Sequence, residues 1–199
     1  MDKTLEEIRK AEKEAETIIV KAEEEAQQVI LKANQDAEAL IEKTKEKMSS
    51  QQVKSDEKLQ ETLANMRAEF RRQKQGFENL ICDALGAVRE AAHRSLGIRP
   101  YMVQLAGALA LYRGNVAEMA TGEGKTLTAG LTAVLWGWIG KPCHIITVND
   151  YLAERDAKTL APLYTFCSVS VGSVSSTMAP SDRKENYDKD VTYTTSKEI

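Results

Sequence analysis

Apolar and small side chains in the first third of the chain recur every eleven positions. Residues 11–76, set in rows of eleven, read AEKEAETIIVK, AEEEAQQVILK, ANQDAEALIEK, TKEKMSSQQVK, SDEKLQETLAN and MRAEFRRQKQG. The first position holds Ala11, Ala22, Ala33, Thr44, Ser55 and Met66, and the fifth holds Ala15, Ala26, Ala37, Met48, Leu59 and Phe70. The eighth and ninth carry Ile18–Ile19, Val29–Ile30 and Leu40–Ile41, then Gln51–Gln52 and Thr62–Leu63. Offsets of this kind put the side chains on one stripe of an α-helix. No proline precedes Pro100 and no glycine precedes Gly76, so nothing interrupts it. At ~1.5 Å per residue the helix would be a rod on the order of 100 Å long. A helix of that kind cannot bury its stripe alone, so residues 1–75 are expected to form a coiled coil with a second copy or another helix. An eleven-residue period is about 3.67 residues per turn, which predicts a right-handed supercoil. The competing reading is a single helix held by Glu–Lys pairs.

The pattern changes at Gly76, which divides the chain into a helical segment, 1–75, and a mixed domain, 76–199. Helical spacing continues over 77–95 and ends at Gly97, before Arg99-Pro100. A helix is expected over Met102–Tyr112, a strand over Val116–Met119, and a helix from Lys125 towards Trp138. His144–Val148 reads as an entirely buried strand, and Asn149-Asp150 as the cap of a helix reaching about Leu160. Val169–Val174 and Val191–Thr195 are further strands, with a short helix over Ser181–Tyr187 between them. Strands alternating with helices predict an α/β fold with a parallel sheet covered on both faces.

Charge sharpens the division without naming a partner. Residues 1–75 hold 32 of the 57 charged side chains, and the net charge is -3. Neither part has a strong sign, so no nucleic acid is expected as a partner. Cys82, Cys143 and Cys167 stand far apart, with no metal-ligand or disulfide spacing, and are expected to be reduced thiols of a cytosolic protein. The longest apolar stretch, Leu127–Ile139, is too short to span a bilayer, and no leader peptide is visible.

The chemistry lies between the first expected strand and its helix, in Met119-Ala120-Thr121-Gly122-Glu123-Gly124-Lys125-Thr126. Gly122 and Gly124 let the backbone curl until several N–H groups point at one spot, as a phosphate requires. The start of the following helix adds its partial positive charge. Thr121, Gly122, Glu123, Gly124, Lys125 and Thr126 are therefore the candidate nucleotide ligands. Lys125 would reach the β- and γ-phosphates of ATP, and the Thr126 hydroxyl would bind Mg²⁺. These two are also the candidate catalytic residues. Met119 stands where the strict loop pattern has glycine.

Three segments carry a family resemblance: Arg99-Pro100-Tyr101-Met102-Val103-Gln104-Leu105, Ala117-Glu118-Met119 with the loop, and Thr147-Val148-Asn149-Asp150-Tyr151-Leu152-Ala153-Glu154-Arg155-Asp156-Ala157. From about Asn79 to Ile199 the chain resembles the first nucleotide-binding domain of SecA, the preprotein translocase motor. Val88–Gly97 fits the same family. The resemblance implies part of a RecA-like P-loop sheet, ATP and Mg²⁺ as cofactors, and Gln104 on the adenine edge, where its amide offers a donor and an acceptor. It also implies that Asn149, Asp150 and Arg155 couple the nucleotide to the polypeptide path. Preprotein and a translocon channel would be the partners, at the inner face of the cell membrane. Thr194 replaces the glycine usual in the family. The repeat itself is similar to the peripheral-stalk helices of rotary ATPases.

The expected function is thus an ATP-binding component of a SecA-like motor. It is expected not to hydrolyse ATP alone, because the family's metal-holding acids and second motor domain are not in this sequence. A coiled-coil scaffold with a vestigial motor-like docking domain is the alternative, and a product of gene fusion or frameshift is a third.

Overall fold

A computed structural model describes the backbone of residues 2–72 and 78–199, and side chains at 21, 27, 28, 31, 32, 35, 38–72 and 80–199. The chain divides into two compact units, Met1–Ser55 and Asp56–Ile199, and the division falls within the first helix, α1 (Asp2–Arg72). In the first unit every described side chain is exposed, Leu40, Ile41 and Met48 among them. The expected seam residues Ala11, Ala15, Ile18, Ile19, Ala22, Ala26, Val29, Ile30, Ala33 and Ala37 lie outside the described side chains.

In the second unit the stripe behaves differently from expectation. Leu63 and Phe70 are buried in the chain's own core, with Leu59 and Met66 packed against it. These four have offsets of four, seven and eleven, one face of a helix. The last rows of the repeat thus cover this domain from within, where a partner helix was expected. The position expected as the boundary, Gly76, lies outside the described residues.

The remaining helices are α2 (Glu78–Leu96), α3 (Met102–Tyr112), α4 (Lys125–Ile139), α5 (Asp150–Phe166) and α6 (Pro180–Tyr187). The strands are β1 (Cys143–Thr147), β2 (Val171–Ser173) and β3 (Val191–Thr195), all parallel in the order β1-β3-β2. Cys143 pairs with Val191 and Thr147 with Thr195, while Val171 pairs with Val191 from the other side. Each parallel neighbour is reached through a helix, as crossover connections demand.

Strand β3 is central and buried along its whole length. Tyr193 meets Tyr164 of α5 edge to face, and their hydroxyls share a hydrogen bond of 2.8 Å. The other face carries Thr192 and Thr194, whose hydroxyls meet α6: Thr192 Oγ1 donates to Asn186 O at 2.7 Å, and Thr194 Oγ1 lies 3.4 Å from the Tyr187 hydroxyl. Trp138 of α4 is fully buried, meets Phe70 edge to face, and donates its indole N–H to Cys167 O at 2.9 Å. Burying an aromatic of that size while satisfying its polar atom makes it a strong anchor.

Two expectations are corrected here. Val116–Met119 forms no strand, and Val116 is 96% exposed. Its backbone has no ladder partner among the described residues, and a strand is defined by its ladder. Strand β1 is not wholly buried: His144 and Ile146 are exposed and its other residues half-buried, because β1 is an edge strand covered on one face. Helix α5 also runs past Leu160 and through Pro162 to Phe166. Proline there removes one backbone hydrogen bond, and the burial of Leu160, Leu163 and Tyr164 on the same helix outweighs that loss.

Candidate nucleotide-binding site

The loop between α3 and α4 is shaped by two glycines in the left-handed region, Gly122 at φ 91° and Gly124 at φ 85°. A side chain at either would be strained. Gly124 is the residue that precedes α4, and its carbonyl accepts the first hydrogen bond of that helix, from Thr128 N at 3.0 Å. The N–H groups of Lys125, Thr126 and Leu127 therefore have no acceptor within the helix. They stand at the positive end of a 15-residue helix, a setting that favours an anion.

The side chains gather around this turn. Lys125 Nζ donates to Met119 O at 3.0 Å and Ala120 O at 2.9 Å, folding over the loop's own backbone. Thr121, Gly122 and Glu123 are exposed. Thr126 Oγ1 donates to Asp156 Oδ2 of α5 at 3.2 Å, and Asp156 Oδ1 accepts from Arg155 Nε at 2.9 Å and Arg155 Nη2 at 2.6 Å.

Gln104 is brought to the loop by the start of α3. It is buried, its Nε2 donates to Glu123 O at 2.8 Å, and its Oε1 accepts from Tyr101 N at 3.0 Å. Both ends of the amide are thus engaged within the chain, tying the first turn of α3 to the loop. The approach is close enough that a Cβ at position 124 would overlap Gln104 Nε2. Arg89 of α2 fixes the preceding segment by donating from Nε to Pro100 O at 2.7 Å. The structure therefore joins Gln104, the glycines, Lys125 and Thr126 in one place.

The other expected pair, Asn149 and Asp150, lies at the carboxyl end of β1. Asn149 Oδ1 accepts from Leu152 N at 2.9 Å, capping α5. Asp150 accepts from Ser176 N at 2.8 Å and from the Ser176 hydroxyl at 2.6 Å. The Ser176 hydroxyl and amide hold the Asp150 carboxyl below its ordinary value. Arg183 fastens the same loop, donating to Ser176 O and Met178 O and pairing with Glu198. A cleft of about 430 Å³ opens there, lined by Val148, Asn149, Asp150, Tyr151 and Lys197 among others, and does not include the phosphate loop. Arg155 is directed to Asp156, towards Thr126, and not to this cleft.

Asp156 received no role from the sequence. A signal was present: it stands between Ala153, Ala157 and Leu160 on the buried stripe of α5, where a lone acid needs a partner.

The residues fit a bound nucleotide phosphate by their chemistry. The loop offers free backbone donors at a helix start, a primary amine and a hydroxyl, and its glycines leave no side chain over the turn. Among the described residues no group of three or more His, Cys, Asp or Glu side chains forms a metal cage. The Thr126 hydroxyl is an oxygen donor of the kind Mg²⁺ takes.

Comparison with known proteins bears on the whole domain. The family model of the SecA DEAD-like domain matches residues 18–199, so the match begins inside the eleven-residue repeat. Protein translocase subunit SecA 2 of Chlorobium chlorochromatii is 51% identical over 141 residues, covering 71% of this chain and 21% of that protein. SecA 2 of Magnetococcus marinus is 46% identical over 141 residues, 71% of this chain and 22% of its own length. SecA of Gloeothece citriformis is 45% identical over 151 residues, 73% of this chain and 16% of its length. The chain thus spans about a fifth of the curated relatives it matches.

Proposed function

The chain belongs to the SecA DEAD-like domain family, and on that premise we propose that it is an ATP-binding part of a protein-translocating motor. The observation that carries the reading is the loop Gly122–Thr126 at the start of α4, joined to Gln104 through Glu123 O. The backbone N–H groups of the loop bind phosphate oxygens, and Lys125 exchanges its two carbonyl partners for the β- and γ-phosphates. Thr126 supplies one oxygen to Mg²⁺, which when bound neutralises phosphate charge. Gln104 meets the adenine edge with the second Nε2 hydrogen and the second Oε1 lone pair, which its bonds to Glu123 O and Tyr101 N leave over.

Hydrolysis is a separate matter. Phosphoryl transfer needs a water-positioning group and a charge-stabilising arginine besides the loop. We assign turnover to a site completed by groups beyond those gathered here. Preprotein and a translocon channel are proposed as partners on the strength of the SecA relatives, and the inner face of the cell membrane as the place of action. No described helix is long and apolar enough to cross a membrane. Residues 1–55 present Leu31, Leu40, Ile41, Met48 and Val53 to solvent, which favours a helical partner for that segment, either a second copy or another chain.

The test is a titration of a fluorescent ATP analogue with Mg²⁺ against the wild type and Lys125→Ala. Saturable binding that is lost in the variant supports the reading; equal binding by both chains sinks it.

A further inference from the structure

We infer that Asp156 is a positioning residue for the Thr126 hydroxyl, holding its hydrogen so that the oxygen lone pairs are left to a divalent cation. The inference rests on the proposed nucleotide site and adds a residue to it from a different helix.

Three observations carry it. First, Asp156 is a buried carboxylate, and the two oxygens have separate tasks: Oδ1 takes both contacts from Arg155, and Oδ2 takes the hydrogen of Thr126 Oγ1 at 3.2 Å. Second, an ionised carboxylate only accepts hydrogen bonds, so the direction of the Thr126 contact is fixed. The hydroxyl must donate, and its two lone pairs are then the only part it has left to offer. Third, Arg155 lies 2.6 Å from the same carboxylate and balances its charge inside the domain. A threonine free to rotate would present its hydrogen to an arriving cation part of the time; this one does not.

The arrangement also ties α5 to the first turn of α4. Asp156 lies six residues along α5 from Asp150, whose carboxylate holds the Ser176 loop.

The experiment uses the full chain and measures ADP affinity by calorimetry, once with Mg²⁺ and once with EDTA. The readout is the ratio of the two affinities. Asp156→Asn keeps the shape but lets an amide N–H donate to the Thr126 oxygen, occupying a lone pair. In that variant the Mg²⁺ enhancement falls roughly tenfold, the effect expected when a partner of a metal-binding group is altered, while affinity in EDTA stays within about twofold. In a Thr126→Val background the same substitution leaves the ratio unchanged.

An enhancement in Asp156→Asn equal to that of the wild type overturns the inference and leaves the nucleotide site standing. So does an equal loss of affinity with and without Mg²⁺, which marks a structural role only. A wild-type chain that binds no ADP under either condition overturns both the inference and the function it rests on. Should Asp156→Asn fail to fold, Asp156→Glu keeps the pairing with Arg155 and moves the carboxylate by one methylene. A full Mg²⁺ enhancement in that variant overturns the inference, and a reduced one supports it.

Discussion

Replacing Gly124 by alanine tests whether the loop is held by the Gln104 amide or merely lies beside it. Two costs add at this position. The backbone sits at φ 85°, where a residue with a Cβ is disfavoured by roughly 1–2 kcal/mol. The new Cβ also overlaps Gln104 Nε2, and the side chain can move away only by giving up its bond to Glu123 O. A typical hydrogen bond contributes about 1 kcal/mol net, so the variant should be less stable than the wild type by about 2–3 kcal/mol in all.

Gly122 provides the control. Its φ is 91°, yet a Cβ there meets nothing within 4 Å, so Gly122→Ala should cost the backbone part alone, about 1–2 kcal/mol. Gln104→Ala provides the second control, since it removes the obstacle. In that background Gly124→Ala should cost the same as Gly122→Ala, giving a coupling of about 1 kcal/mol between positions 104 and 124. Urea unfolding of the full chain at equilibrium measures all five proteins. Equal costs of Gly124→Ala with and without Gln104 would refute the latch, whatever the size of each cost.

Three further outcomes follow from the packing and the titrating groups. Phe70→Ala should lower stability by about 3–5 kcal/mol because it empties a core site against Trp138, whereas Met48→Ala, on the exposed part of α1, should stay within about 0.5 kcal/mol by the same unfolding assay. Alkylation at pH near 8, followed by mass spectrometry, should label Cys82 first: it is exposed, while burial pushes the Cys143 thiol up to about 11 and Cys167 up to about 12. Asp150 is held below its ordinary 3.8 by Ser176, so its contribution is present above that value and lost as pH falls through the lowered one. Unfolding curves should therefore show a gap between wild type and Asp150→Asn that is steady near neutrality and closes in acid; a gap that widens in acid contradicts the pairing.

Helices α2, α3 and α4 were legible from their apolar spacing, and α2 also from its stop, Gly97, which stands at positive φ. Strand β3 was legible in full, since Val191–Thr195 is a β-branched and aromatic run. Val116–Met119 holds a single β-branched residue and forms no strand: its place before the loop says nothing of whether a ladder partner is at hand. The end of the exposed rod was hidden for a related reason. A stripe shows that a face will be covered, not by what, and Leu59 and Phe70 occupy the same repeat position as Ala15 and Ala26. The change at that position from Ala to Leu59 and Phe70 was the readable sign of a core to fill, whereas Met48 at the same position is exposed. At the site, spacing and resemblance singled out the loop residues and Gln104 as candidates, whereas the Gln104–Glu123 and Thr126–Asp156 contacts join residues 19 and 30 apart and exist only once the helices pack.

The central claim, that the turn at the start of α4 is where ATP binds, is tested most directly by amide NMR of the isotopically labelled chain titrated with a non-hydrolysable ATP analogue and Mg²⁺. The account predicts the largest shifts at the amides of Gly122 to Leu127 and at the Gln104 side-chain amide. Shifts confined to the cleft around Asp150 and Ser176, or no saturable shifts at all, would contradict it.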